Sequence, residues 1–429
     1  VAVDLQRPVD LGRDLALELE ERGYEWLTAQ PDGKLATKLD QLTRAIEPRV
    51  IEWRRHFHQF PELSNREVNT AARVAEHLKS LGIEVQTGVA KTGVVGLLKT
   101  GKPGPVIALR ADMDALPVTE RNGLPYASKV RTVFNDQETG VMHACGHDGH
   151  VTMLLGAARY LAETRRFAGR VALIFQPAEE DGGGGEVMVR EGIMDRFGIA
   201  RVFGIHNAPN VPLGRFQTTP GPLMASVDTA TVHVTGRGGH GATPHECVDP
   251  VVAVVAMVQA VQTIVSRNVY ALDEAVISVT QIHAGTASNI IPATAWFCAT
   301  IRCFSPAVRE MLKARLHAIV EGHAAAFGVT AKVDYDWGYP TTVNNAAETD
   351  FAAEVAREVS GAAAVDARAP REMGSEDFSY MLEARPGAYL FLGTGPGVGL
   401  HHPAYDFNDE VAPVGASFFA RLAERALPL

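Results

Sequence analysis

The densest concentration of chemistry-bearing side chains is Met142-His143-Ala144-Cys145-Gly146-His147-Asp148-Gly149-His150, which places three imidazoles, a thiol and a carboxylate within eight residues counted from His143. Nitrogen, sulfur and oxygen donors gathered this way suit zinc or a neighbouring divalent transition metal. A thiolate can also be a nucleophile, but that chemistry needs one base histidine rather than several ligand-like residues. His150 opens an apolar helical pattern, where it can serve as a ligand or simply as a capping or packing residue.

A second cluster, Phe175-Gln176-Pro177-Ala178-Glu179-Glu180, ends an apolar strand pattern and runs into glycines 182 to 185. Adjacent side chains leaving a strand end point in different directions, so one carboxylate can hold a metal while its neighbour faces a substrate as general base. A solvated acidic turn has the same composition. Two further clusters, Gly204-Ile205-His206-Asn207 and Leu400-His401-His402-Pro403, also follow apolar runs. A single histidine at a strand end often caps a helix or bonds a carbonyl, so these gain meaning only beside the first two. Asp112 and Asp114, leaving another strand end, either orient ligand imidazoles or cap the next turn.

Other templates fail. In the glycine-rich run from Gly393 to Gly399, Val398 occupies the third glycine position of a dinucleotide fingerprint, and neither a Walker A nor a G-x-S-x-G pattern occurs.

These clusters need elements to position them. From Val68 to Gln217, short apolar runs such as Val106 to Leu109 and Val171 to Phe175 alternate with helical patterns such as Val151 to Leu161. That alternation predicts an α/β unit with a mainly parallel sheet and helices on both faces, and such sheets carry their chemistry beyond the C-terminal strand ends. Between about Pro222 and Tyr339 the pattern changes to strands at Ala230 to Thr235, Ala275 to Gln281 and Thr294 to Arg302, with helices over the apolar run from Val251 and over Val308 to Phe327. Two helices on a four-stranded sheet is the simplest solution. Phe351 to Val359 and Tyr389 to Leu392 return to the first style. The chain therefore divides into an N-terminal helical extension (1–45), a first catalytic part (46–221), an inserted α+β unit (222–339) and a second catalytic part (340–429). The repeat Leu35, Leu39, Leu42, Ile46, Val50, Trp53, Phe57 predicts an amphipathic helix or helix pair split near Pro48.

Composition narrows the function. With 429 residues, 46% of them apolar and 21% charged, two domains are expected. A net charge of −10 argues against a phosphate-tracking surface, so a small-molecule substrate is expected and nucleic acid is not. Four scattered cysteines fit reduced thiols rather than a disulfide framework. The run from Val251 to Val265 carries Gln259 and Gln262 and falls short of about 20 apolar residues, so a buried helix is expected and no membrane span. The first residues carry Asp4, Asp10 and Asp14 without an apolar signal core, and a cytoplasmic setting is the expectation.

On these motifs the chain resembles the M20 metallopeptidases, specifically the amidohydrolase branch of hippurate hydrolases, N-acyl-amino-acid aminoacylases and plant auxin-conjugate hydrolases. The resemblance runs from about Trp53 to Asp409 and is carried, in family order, by Arg54 through Leu63, Asp112 and Asp114, Cys145 and His147, Glu179 and Glu180, His206 and His401. It implies two divalent ions (Zn, Mn, Co or Ni) on Cys145, His147, Glu180, His206 and His401, with Cys145 bridging. It further implies that Glu179 is the general base and that Asp114 supports a ligand. Asp112 stands where many other members of the family have histidine, and its role stays open. The inserted unit resembles the family's lid and dimerisation domain. There His240 resembles a histidine that reaches across a homodimer to the scissile carbonyl, while Asn289 and Arg302 match positions that hold the substrate's oxygen and carboxylate. The implied reaction is hydrolysis of the amide of an N-acyl-L-amino acid, with an M20 carboxypeptidase or dipeptidase, or a metal-loaded binding protein without turnover, as rivals.

Overall fold

The computed structural model describes residues 48–429. The expected N-terminal extension and the Leu35 to Ile46 part of the amphipathic repeat lie outside the described residues. Residues 48–59 are helical and bury Val50 and Phe57, as the spacing predicts.

The first part of the chain supplies α1 (Val68–Ser80), β1 (Glu84–Val89), β2 (Gly93–Lys99), β3 (Val106–Asp112), α2 (His147–Thr164), β4 (Arg170–Gln176), β5 (Ile199–Pro209) and β6 (Phe216–Gln217). Strands β3 and β4 read as continuous apolar runs rather than alternating ones because both of their faces are covered.

The inserted unit follows as β7 (Ser226–Thr235), α3 (Pro250–Asn268), β8 (Ala275–Ala284), β9 (Thr294–Cys303), α4 (Pro306–Phe327) and β10 (Thr330–Trp337). Its sheet has the order β8-β9-β7-β10 with every neighbour antiparallel, a split βαβ arrangement. Here β7 does alternate, turning Ala230, Val232 and Val234 toward α3 and α4 while its other face stays open. Both helices begin on side-chain caps followed by proline: Asp249 accepts from the Val251 N–H and Ser305 from the Val308 N–H. The expectation that the Val251 run is a buried helix holds for one face and not for the other. One face, through Ala253, Met257 and Val261, packs on the sheet, but Val252 and Val255 are 52% and 50% exposed. Among the described residues α3 is the one helix long and apolar enough to cross a membrane.

The chain then returns with α5 (Ala346–Ser360), β11 (Val365–Asp366), β12 (Gly387–Gly395) and α6 (Ala412–Ala426). The main sheet runs β1-β2-β4-β3-β5-β12-β6-β11. Its centre, β4-β3-β5-β12, is parallel; β1, β2 and β6 join antiparallel toward the edges. Since β12 comes from beyond the insertion and pairs with β5 from before it, the sheet closes across the inserted unit. Helices α1, α2, α5 and α6 cover one face. The other face is packed by Met188, Met194, Phe378 and Met381 from short helical turns. Truncating a fully buried side chain in this core, such as Phe203, would cost about 3–5 kcal/mol.

Candidate metal centre

The four parallel strands at the centre of the sheet end on one edge, and each releases one of the chemically loaded segments there. Asp112 closes β3 in register with Gln176, the last residue of β4, and Glu179 and Glu180 follow. His206 sits within β5 opposite Phe391 of β12, and His401 comes from the loop beyond β12. Cys145 and His147 flank Gly146, whose φ of +86° starts α2; a Cβ there would lie 2.5 Å from the Asn207 side-chain nitrogen. Only glycine lets the chain turn so tightly between the two donors.

The donor atoms of Cys145, His147 and His206 lie within 4.8 Å of one another, as do those of Cys145, Glu180 and His401 and those of His147, Glu179 and Glu180. Cys145 belongs to two of these sets. Its Sγ is 3.5 Å from His206 Nε2, while Glu180 Oε1 is 3.4 Å from His401 Nε2 and 3.9 Å from His147 Nε2. His147 Nε2 and Glu180 Oε1 are buried with no hydrogen-bond partner among the described residues. Buried polar atoms are rarely left so, and two facing donors of this kind fit a cation between them.

The electrostatics agree with that fit. Burial alone would push the His147 imidazole down, yet the Asp112 and Asp114 carboxylates lift it to about 10. Burial holds the Cys145 thiol well above its usual range, and the Glu180 and Glu179 charges add to it. Burial likewise raises the Glu179 carboxyl, helped by Glu376, Glu180 and Asp377. The pocket therefore gathers acidic groups that hold their protons in the absence of a cation, and bound metal would replace those protons.

Around the donors, hydrogen bonds fix ring orientation. Asp114 accepts from His147 Nδ1 through both its carbonyl at 3.0 Å and its Oδ1 at 3.2 Å, leaving Nε2 toward Glu180. The other Asp114 oxygen takes the Ser64 hydroxyl and the Glu180 N–H. His206 donates from Nδ1 to the Asn207 carbonyl at 2.7 Å, which turns Nε2 toward Cys145. His150 uses both nitrogens elsewhere: Nδ1 donates to Asp112 at 2.6 Å and Nε2 accepts the Asn207 N–H at 2.9 Å. These bonds tie it to Asp112 and to the β5 backbone, and its donor atoms also lie within 4.8 Å of those of Asp112 and His147. Asp112 also takes the Arg110 guanidinium at 2.6 Å and lies 3.8 Å from His147 Nε2.

Beside the donors opens a cavity of about 990 Å³ lined by Cys145, Glu179, Glu180, His206, His401, Arg302, Tyr339 and Phe391. Arg302 reaches it from β9 of the inserted unit, held by a 2.8 Å hydrogen bond to the Met373 carbonyl. His240 and Asn289 do not line it. They lie together on the exposed side of the inserted unit, where His240 pairs with Ile290 and the Gly241 N–H donates to the Asn289 carbonyl.

Several residues at the site escape sequence reasoning. Arg110, fully buried, donates to Asp112, Gln176, Glu376 and Asp377 at 2.6–3.1 Å, and Tyr389 bonds Glu376. Glu376 and Asp377 approach Glu179 within 4.8 Å. Arg110 stands two places before Asp112, a usable signal, whereas an acidic pair in a loop has none. His58 is clasped by Asp148 at 2.8 Å and Glu120 at 3.0 Å; burial would lower it, but the two carboxylates raise it to about 9.

Comparison with known proteins places this geometry. The pattern of Peptidase family M20/M25/M40 matches residues 108–425. Thermostable carboxypeptidase 1 of Saccharolobus solfataricus is 43% identical over 399 residues, covering 91% of this chain and 98% of that protein. Hippurate hydrolase of Campylobacter jejuni is 41% identical over 374 residues, covering 87% and 95%. Among solved structures, a dinuclear metal-binding peptidase of the M20 family from Bacillus subtilis superposes with a TM-score of 0.75 at 34% identity, covering 90% of this chain and 99% of that one. The chain belongs to peptidase family M20, as a metal-dependent amidohydrolase.

Proposed function

We propose that the enzyme hydrolyses the amide bond of N-acyl-L-amino acids of the hippurate or N-acetyl type, releasing a carboxylic acid and a free amino acid. The observation that carries the reading is the convergence of Glu179, the donors Cys145, Glu180, His206 and His401 and the Arg302 side chain on one cavity, with His147 buried directly behind them. Cys145, His147, Glu180, His206 and His401 would hold two divalent ions (Zn, Mn, Co or Ni), which when bound would supply Lewis acidity at the scissile carbonyl and acidify water.

Glu179 takes the proton of the attacking water and returns it to the departing amine; its buried, acid-crowded setting suits a base of raised pKa. Asp114 keeps His147 in the ligating tautomer. Arg302 receives the substrate carboxylate in its planar fork, and Asn289, exposed beside His240 and outside its own chain's cavity, would reach a substrate oxygen from the same side as His240. His240 stabilises the developing oxyanion from the partner subunit of a homodimer. Its exposure away from its own chain's cavity supports this, as do the exposed Ile282 on edge strand β8, the exposed Ile290 paired with His240 and the exposed Val252 and Val255 on α3. In this reading residues 46–221 and 340–429 form the catalytic domain and 222–339 a lid. The four free cysteines suit a cytoplasmic setting.

The likeness to a carboxypeptidase favours one rival, cleavage of a peptide's C-terminal bond by the same chemistry. Hippurate, N-acetyl amino acids and dipeptides, each assayed with each metal, separate the two. Turnover of dipeptides with none of the N-acyl amino acids would overturn the proposal.

A further inference from the structure

The segment that carries Glu179 is conformationally strained. Ala178 has a φ of +54°, a left-handed backbone that a residue with a Cβ adopts only when its surroundings hold it there. Four hydrogen bonds do so. Glu67 accepts from the Ala178 N–H at 2.8 Å, the Gly184 N–H donates to the Ala178 carbonyl at 2.9 Å, and Asp114 accepts from the Glu180 N–H at 3.0 Å. The fourth comes from outside the catalytic sheet: the Tyr339 hydroxyl donates to the Glu179 carbonyl at 2.6 Å.

Tyr339 lies where the chain leaves β10 to re-enter the main sheet, and that exit is itself pinned. The Val227 N–H donates to the Tyr339 carbonyl at 3.0 Å. At Gly338, Asp228 accepts from the N–H at 3.2 Å and Arg309 donates to the carbonyl at 2.9 Å, while a Cβ would meet the Val227 carbonyl at 2.4 Å. Asp228 is almost fully buried and is bound in turn by Arg309 and the Tyr335 hydroxyl. The Tyr339 ring closes on Gly183, where an added Cβ would stand 3.5 Å away.

We infer that Tyr339 is a positioning residue for Glu179: its hydroxyl fixes the strained turn that aims the base, and ties that turn to the inserted unit through Gly338, Asp228 and Arg309. This rests on the assignment of Glu179 as general base. Tyr339 itself takes no part in proton transfer. It does line the substrate cavity, so a direct contact with substrate is the competing role to be separated from positioning.

The test is Tyr339→Phe in the full chain loaded with metal. One hydrogen bond to a buried carbonyl is removed and the ring packing kept, so kcat should fall about tenfold while KM stays within about twofold. Metal content should not change. Asp228→Asn, which weakens the hold on Gly338, should lower kcat in the same direction and by less. Crystal structures of the enzyme and of Tyr339→Phe supply a readout independent of turnover: in the variant Ala178 should leave the left-handed region. An unchanged kcat with an unchanged 178–180 backbone would overturn the inference, and so would a raised KM at constant kcat, which marks a substrate contact. Glu179→Ala is measured alongside. If it keeps turnover the base assignment falls, and the backbone comparison alone then decides whether Tyr339 positions the turn.

Discussion

His147 and His240 both follow a glycine in sequence, and the fold treats them in opposite ways. His147 is wholly buried, its Nδ1 held by Asp114 and its Nε2 left facing Glu180. His240 is exposed, and among the described residues its ring bonds only within its own turn, where Nδ1 accepts the Ala242 N–H at 3.0 Å. The first site is assembled within one chain, because its donors gather along one edge of the main sheet: His206 in β5, Glu180 and His401 in loops beyond β4 and β12, and Cys145 and His147 at the start of α2. The second lies on an exposed surface outside its own chain's cavity. The buried donors lie along the sheet edge, and the histidine proposed to act across subunits lies on the inserted unit.

The comparison breaks most sharply at Glu179. Glu179→Ala should reduce turnover by about 10³-fold or more while metal content, measured by elemental analysis, stays at the wild-type level; retained activity would falsify the base assignment. Cys145→Ala acts on the same buried side but through the metals. It should lose both bound metal and activity, and chelation of the wild-type enzyme should do the same reversibly, with added divalent metal restoring turnover.

On the exposed side, His240→Ala should lower kcat by about 100-fold with metal content unchanged. On the proposed cross-subunit role of His240, mixing His240→Ala with Glu179→Ala under conditions of subunit exchange should restore part of the activity. No recovery in verified mixed dimers would place His240 outside the partner's site. Arg302→Ala should raise KM about tenfold for substrates with a free carboxylate and leave kcat nearly untouched. An equal KM for a carboxyl-esterified substrate in wild type and variant would sharpen that assignment.

The smallest effect concerns stability. His58 is raised from its usual 6.5 to about 9 by Asp148 and Glu120 against the cost of burial. A group whose folded pKa is raised stabilises fully below its unfolded value and loses that contribution as pH climbs through the folded one. Stability of the wild type should thus decline by about 1–3 kcal/mol between pH 6.5 and 9. His58→Gln should show a shallower decline in denaturant midpoints over the same window, and parallel curves would remove His58 as the cause.

Much of this was legible in the residues. The apolar runs of β3 and β4, the alternation of β7, and the capped helices α3 and α4 follow from local periodicity and capping chemistry, which act over a few residues. The metal-binding residue types stood out for the same reason, since Cys145 and His147, or Glu179 and Glu180, are neighbours in the chain. The mixed edges of the main sheet were not legible, because strand direction depends on how distant segments return. The exposed flank of α3 was hidden too, since an apolar run does not say which of its faces is covered.

What the sequence by itself determined is the inventory: which donors exist, on which kinds of element, and hence the class of reaction. What only the tertiary structure decided is their pairing. Arg110 meets Glu376 across 266 residues of chain, and Tyr339 meets the Glu179 carbonyl across 160. Whether His150 serves a metal or Asp112, and whether Arg302 but not His240 enters its own chain's cavity, rests likewise on contacts between segments far apart in sequence. Local spacing fixes what a short segment can become, but the electrostatic environment of a buried group is a sum over every segment packed against it, and only the closed fold brings those segments within reach.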